Sequence, residues 1–330
     1  MCNPVHTSPA DQALWELVKD FVPEKVFDAH AHLISPEFLP ADCTYPAKYG
    51  ECTAKAFIER SKIIYGDDRL LRGMLMIHPD PILRDVELRD RANQWMLKQV
   101  SNVPGCCVGA YVLPEDTVEK LEELVKNPNV RAFKPYYMTA LGDKDTQSDI
   151  ADFLPESAWI VADRHGLAIT LHMMKTLSPV DPVNKAYIKT MAAKYPNAKL
   201  ILAHCGRGFA TWHILQTARE YKEFPNIYYD MAAICESAAM FEVIRQSGVD
   251  HVMWGTDFPL SIANSVPFCF ADGSSWISPE QPGLEGKKIG LLGLESLFAF
   301  YQASLMLDLT RQEIEDIFYN NAIAVFGLEQ

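Results

Sequence analysis

Two histidines one residue apart, His30 and His32, close the run Val26-Phe27-Asp28-Ala29-His30-Ala31-His32-Leu33. In an extended strand, side chains at i and i+2 point to the same side. The pair can therefore aim two imidazoles at one point and hold two corners of a metal's coordination sphere. A strand-end pair bonded only to water is the plainer reading of the same two residues. Where the other candidate residues fall along the chain decides between them.

The elements that must position these residues follow a repeating pattern. Apolar runs predict strands at Val26–His30, Leu71–Ile77, Cys106–Leu113, Val130–Lys134, Leu167–His172, Lys199–His204, Asn226–Asp230 and Asp250–Gly255. Amphipathic stretches between them predict helices at Thr53–Tyr65, Asp85–Val100, Glu115–Lys126, Asp149–His165, Pro182–Tyr195, Phe209–Lys222 and Glu236–Ser247. A further helix, Asp11–Phe21, precedes the first strand, and two more, Ile289–Leu307 and Thr310–Phe318, end the chain. Leu33–Gly50 holds Pro36, Pro40 and Pro46 without a period and reads as a long loop. Strands alternating with helices imply an α/β fold with a parallel sheet, and eight such units imply a (β/α)8 TIM barrel with extra N- and C-terminal helices. No strand leads into a glycine-rich nucleotide motif. No linker divides the chain, so residues 1–330 read as one domain. Residues 258–287, rich in Pro, Gly and Ser, are long for a βα connection of about 2–6 residues and read as a lid over the barrel mouth.

In such a barrel the chemistry gathers at the carboxyl ends of the strands. His30 and His32 end the first strand, Lys134 the fourth, His172 the fifth, His204 the sixth and Asp257 the eighth. Each histidine alone could be a satisfied core-edge residue. Four of the chain's 9 histidines on one face, with a carboxylate, are much harder to assign to chance. His78 ends the second strand before Pro79, where it can line the pocket, and receives no role. His165 and His213 fall on helices, His251 starts a strand at the opposite end, and His6 lies in the N-terminal arm.

His30-Ala-His32, the histidine ending strand five, His204-Cys-Gly206, Gly255-Thr-Asp-Phe-Pro259 and the late Asn320-Asn-Ala322 with Phe326-Gly327 together resemble the amidohydrolase superfamily. The resemblance is closest to the amidohydrolase-2 branch, which includes aminocarboxymuconate-semialdehyde decarboxylase, and spans Val26 to Leu328. It implies a distorted barrel holding one divalent metal, most often Zn²⁺, with Mn²⁺ the alternative. It assigns His30, His32, His172 and Asp257 to the metal and His204 to acid–base work beside a metal-activated water. Asp257 is a second candidate for that proton. Imidazoles and one carboxylate suit Zn²⁺ and leave a position open for water, whose pKa the metal lowers toward neutrality. A histidine titrates near working pH and can move the proton.

Three cations complete the set. Lys134, in Phe133-Lys134-Pro135, admits two readings: a carboxylated lysine bridging two metals, as in two-metal relatives, or a cation for substrate. Arg207 and Lys175 each follow a site histidine by three residues, on loops over the site face. They read either as exposed loop charge or as a clamp for a substrate carboxylate. The resulting expectation is a metal-dependent hydrolase of a small carboxylated molecule, cleaving a C–N or C–O bond. A decarboxylase or hydratase of the same branch is the alternative. A silent metal-binding barrel and a metal-free lactonase are the others.

Composition narrows the partners. The chain has 43 acidic and 30 basic residues and a formal charge of −13. Without a Lys/Arg block it is a poor ligand for nucleic acid or an anionic membrane. No apolar run approaches the roughly 18–20 residues of a membrane span. The start, Met1–Pro9, lacks the apolar stretch of a signal peptide. The 8 cysteines form no C-x-x-C pair and read as free thiols of a cytoplasmic protein. A homodimer is expected only by analogy with the family.

Overall fold

The computed structural model describes residues 8–142, 145–270, 273–279, 281–283 and 289–329. Eight parallel strands follow one another around the sheet in chain order: β1 (Lys25–Leu33), β2 (Leu70–Ile77), β3 (Cys107–Tyr111), β4 (Val130–Lys134), β5 (Ala168–Leu171), β6 (Lys199–Leu202), β7 (Ile227–Asp230) and β8 (Val252–Met253). The last is joined to the first by backbone bonds. Ala29 N–H donates to the Trp254 carbonyl at 2.9 Å, Asp257 N–H to that of His30 at 2.8 Å, and His32 N–H to that of Phe258 at 2.6 Å. Helices lie between the strands, so the architecture is a (β/α)8 TIM barrel.

The seam between β1 and β8 carries a buried carboxyl. Asp28 is bonded to the Thr256 hydroxyl at 2.5 Å and accepts the Thr256 N–H at 3.0 Å. Burial pushes its pKa up to about 7. The amino-terminal half of the barrel is filled by Phe27, Ala29, Met74, Met76, Cys107, Ala132, Ala168, Ile201 and Met253, capped from below by Tyr319, Ala322, Ile323 and Phe326. The barrel is therefore a packed core at that end, and its cavity opens at the other.

Several elements differ from the sequence expectation in extent. The helix expected over Asp149–His165 is a short turn, Ile150–Asp152, followed by helix Glu156–His165. Pro155 lies between them, and a proline there has no N–H to give the turn before it. β8 spans only two residues because Val249–His251 form a 3-10 turn ahead of it. β6 stops at Leu202, two residues short of His204. The expected lid contains an antiparallel hairpin, β9 (Val266–Phe270) and β10 (Gly273–Ile277); residues 271, 272, 280 and 284–287 of that stretch lie outside the described residues, as does His6. None of the described cysteines is in a disulfide. Among the described residues no helix is long and apolar enough to cross a membrane.

Candidate active site

β1 is buried on both faces, as an interior parallel strand is. Between Asp28 and Ala31 it carries one residue more than β2, a bulge that contains Ala29 and His30. His30, within the bulge, and His32, just past it, present their Nε2 atoms to each other at 3.2 Å. Asp257 Oδ1 stands 3.7 Å from the first and 3.5 Å from the second. The ligand atoms of these three buried residues all lie within 4.8 Å of one another. Gly255 permits the approach: a Cβ there would stand 3.1 Å from the Cβ of His30.

The protons on these rings are fixed by what the other nitrogens meet. His32 Nδ1 lies 3.2 Å from the Ile77 carbonyl, and His204 Nδ1 lies 2.9 Å from the Ala232 carbonyl. A carbonyl only accepts, so both rings carry their proton on Nδ1 and turn a lone pair inward from Nε2. His30 Nδ1 meets a carboxylate oxygen of Asp230 at 2.9 Å. His204 Nε2 faces His172 Nδ1 at 3.1 Å. His172 thus stands beside His204, outside the tight group of three, with its ring stacked on Tyr136.

Burial holds all four imidazoles neutral, the form that ligates metals. It drives His30, His32 and His172 well below the ordinary range. It lowers His204 as well, with the Asp230 carboxylate opposing. Asp257 is raised by burial to about 7, with Lys134 opposing. Lys134 is lowered by burial to about 8, with Asp230 and Asp257 opposing. Its ammonium is buried, has no hydrogen-bond partner among the described residues and sits 5.4 Å from the centre of the Tyr136 ring.

The amidohydrolase family model matches residues 27–328, nearly the whole chain. The chain belongs to the amidohydrolase family. It is an enzyme of that superfamily, in the amidohydrolase-2 branch. No protein of curated function matches its sequence. Solved structures share its fold at low identity. A 2,6-dihydroxybenzoate decarboxylase complexed with 2,6-dihydroxybenzoate is 14% identical, with a TM-score of 0.59 over 93% of this chain and 100% of the other. A dihydroxybenzoic acid decarboxylase from Polaromonas sp. JS666, with manganese and 2-nitroresorcinol bound, is 17% identical, with a TM-score of 0.57 over 93% and 98%. A probable 2-pyrone-4,6-dicarboxylic acid hydrolase from Acinetobacter baumannii is 14% identical, with a TM-score of 0.57 over 92% and 99%.

In this amidohydrolase His32, His172, His204 and Asp257 line a cavity of about 530 Å³, whereas His30 is fully buried and is not among its lining residues. Tyr45, Tyr49, His78, Tyr136, Phe209 and Trp276 supply aromatic walls. Trp276 comes from the β9–β10 hairpin and meets Phe209 edge-on at 6.2 Å. Arg207 lines the cavity. One end of its guanidinium donates to the Met174 carbonyl at 2.5 Å and the Met173 carbonyl at 3.3 Å. Lys175 is placed differently. Its ammonium is paired with Asp149, and with Asp181 at 3.2 Å, and it is not among the cavity-lining residues. His78 does line the cavity, with its ring 4.2 Å from that of Tyr45, and burial lowers its pKa to about 4.

Two features lie outside the sequence reading. Asp230 is absent from the strand-end set, although the same rule applied to β7 selects it. His204, Cys205, Gly206 and Arg207 all have left-handed backbones, with φ of 56°, 54°, 73° and 58°. Only Gly206 adopts this without steric cost, which is roughly 1–2 kcal/mol for each other residue. No composition signal marks such a turn.

Proposed function

We propose that this protein is a metal-dependent hydrolase of a small carboxylated substrate, cleaving a C–N or C–O bond. The observation that carries the reading is the convergence of His30, His32 and Asp257 within 4.8 Å, with His32 and Asp257 lining the same cavity as His204 and Arg207. The donor set fits a divalent cation. His30 and His32 face each other with acceptor nitrogens at 3.2 Å. Two lone pairs so close repel unless a proton or a cation lies between them, and burial disfavours the proton. His30, His32 and Asp257 would hold the ion, with His172 completing the set. Imidazole and carboxylate donors suit Zn²⁺; the Polaromonas structure holds manganese, which makes Mn²⁺ the alternative.

When bound, such an ion supplies a Lewis acid that makes water nucleophilic near neutral pH. His204, with Nδ1 committed to a carbonyl, carries its acceptor lone pair on Nε2, which faces His172 Nδ1 at 3.1 Å and can take the proton and return it to the leaving group. Asp257 is the second proton site. Arg207 has one end of its guanidinium held by two carbonyls, and the other can receive a substrate carboxylate in a fixed direction. Lys134, buried and outside the cavity lining, adds positive charge near His30, His204 and Asp257. Carboxylation of its unpartnered amine, with a second ion, is the less economical reading. The β9–β10 hairpin acts as a cover, with Trp276 laid against the wall of the cavity.

Decarboxylation is the second reading. The aromatic walls favour it, and so do the decarboxylases of dihydroxybenzoates among the structures that share the fold. One experiment tests both. Protein purified without chelator is analysed for metals and then offered carboxylated lactones, amides and aromatic acids, with acid release and CO2 release followed separately. About one equivalent of divalent metal is expected, with turnover of acids over their neutral esters. A fully active preparation without metal would end the proposal.

A further inference from the structure

Asp230 is fully buried, lies at the end of β7 and spends both carboxylate oxygens on parts of the site that come from different strands. Oδ2 meets His30 Nδ1 at 2.9 Å. Oδ1 accepts the backbone N–H of His204 at 2.9 Å and that of Ala232 at 3.1 Å. One side chain therefore joins the ligand strand β1, the start of the left-handed turn after β6, and the turn after β7, whose Ala232 carbonyl orients the His204 ring.

We propose that Asp230 is a positioning residue with two separable duties, fixing the tautomer of His30 and holding the left-handed His204–Arg207 turn in place. The proposal rests on the metal-binding reading for the first duty alone. An ionised carboxylate only accepts, so it keeps the His30 proton on Nδ1 and leaves the Nε2 lone pair directed at His32 and Asp257. The second duty follows from strain. Of four successive left-handed residues, three, His204, Cys205 and Arg207, are not glycine and occupy a conformation that costs each of them free energy. Such a turn persists only where its surroundings over-determine it. The bonds that do so are Asp230 to His204 N–H at its start, Gly208 N–H to the His204 carbonyl at 2.9 Å, and Arg207 to the Met173 and Met174 carbonyls at its end. The turn carries both His204 and Arg207, so its loss would displace both.

Asp230→Asn separates the duties. Asparagine can keep its oxygen on the His204 and Ala232 N–H groups and turn its amide toward His30. His30 Nδ1 must then accept, and its proton moves to Nε2, the atom that would bind metal. The reverse orientation sets the amide donors against two backbone donors. The variant should bind added Zn²⁺ or Mn²⁺ about 10–100-fold more weakly in a chelator competition, with the thermal transition of the metal-free protein little changed. Hydrogen exchange of the segment 203–208 should match wild type in Asp230→Asn and accelerate in Asp230→Ala. Undiminished metal affinity in Asp230→Asn overturns the first duty, and unchanged exchange in Asp230→Ala overturns the second. A measurement on wild type decides the first duty even if the variants fail to fold. In metal-free, ¹⁵N-histidine-labelled protein, with His30→Gln for assignment, His30 should carry its proton on Nδ1. A proton on Nε2 overturns the tautomer assignment. Wild type that binds no metal but shows the Nδ1 proton would refute the proposed function and leave this assignment standing.

Discussion

Two walls of the barrel mouth place histidines by different means. On the β1–β8 wall, His30 and His32 follow from strand period, and Asp257 reaches them across a seam of ordinary backbone bonds. On the β5–β7 wall, His204 stands beyond the end of its strand, in a left-handed turn that a buried carboxylate on the next strand helps to hold. The first wall has its chemistry written into a local pattern. The second stores strain and depends on partners 26 or more positions away in sequence. Local pattern is robust to change elsewhere, whereas a strained turn can be altered from any of its supports.

Substitutions can sharpen or break that contrast. The largest effect should come from His30→Ala on the first wall. It should weaken metal binding by more than the roughly 100-fold typical of losing a supporting residue and remove activity with it; retention of one equivalent of tightly bound metal would break the assignment. On the second wall, His204→Asn should lower kcat by about 10²–10⁴-fold while the metal stays. Metal lost in proportion to activity would make His204 a ligand and bring Lys134 forward as the bridge of a binuclear site. Arg207→Lys keeps the charge but not the planar fork. It should raise KM for an acid substrate about tenfold, near the value of one charge-assisted hydrogen bond, with metal affinity unchanged. Equal kinetics on acids and neutral esters would remove the clamp. Trp276→Ala, on the hairpin, should raise KM a few-fold and spare the fold; unchanged kinetics on a true substrate would count against a cover.

The smallest effect concerns acid stability. His78 is held by burial at about 4, against about 6.5 in an unfolded chain. Between those values the unfolded state binds the extra proton, so this residue's contribution is intact above about 6.5 and is lost as pH falls toward 4. Asp28 and Asp257, raised to about 7, act in the opposite sense. Their folded forms hold protons that unfolded carboxyls release, so their contribution fades as pH rises toward 7. His78→Phe should therefore flatten the acid side of the stability curve of metal-free protein by at most about 1.4 kcal/mol per pH unit, read from urea unfolding at pH 4.5, 5.5 and 6.5. An unchanged slope would mean that His78 titrates as a solvated group.

Much of this enzyme is determined by its sequence alone, because the signals involved are local. Alternating strand and helix periods fix the barrel, and the β-strand period brings His30 and His32 to one side. The rule that chemistry gathers at strand ends then selects Lys134, His172, His204 and Asp257 as candidates. Tertiary structure decides what no window of sequence contains. It closes β8 onto β1, which brings Asp257 within 3.5 Å of His32. It ties Lys175 to Asp149 and Asp181 while Arg207 faces the cavity, although both follow a site histidine by the same three residues. It also sets Asp230 against His30, 200 positions away, where burial makes a carboxylate's bonds directional and costly to leave unmade.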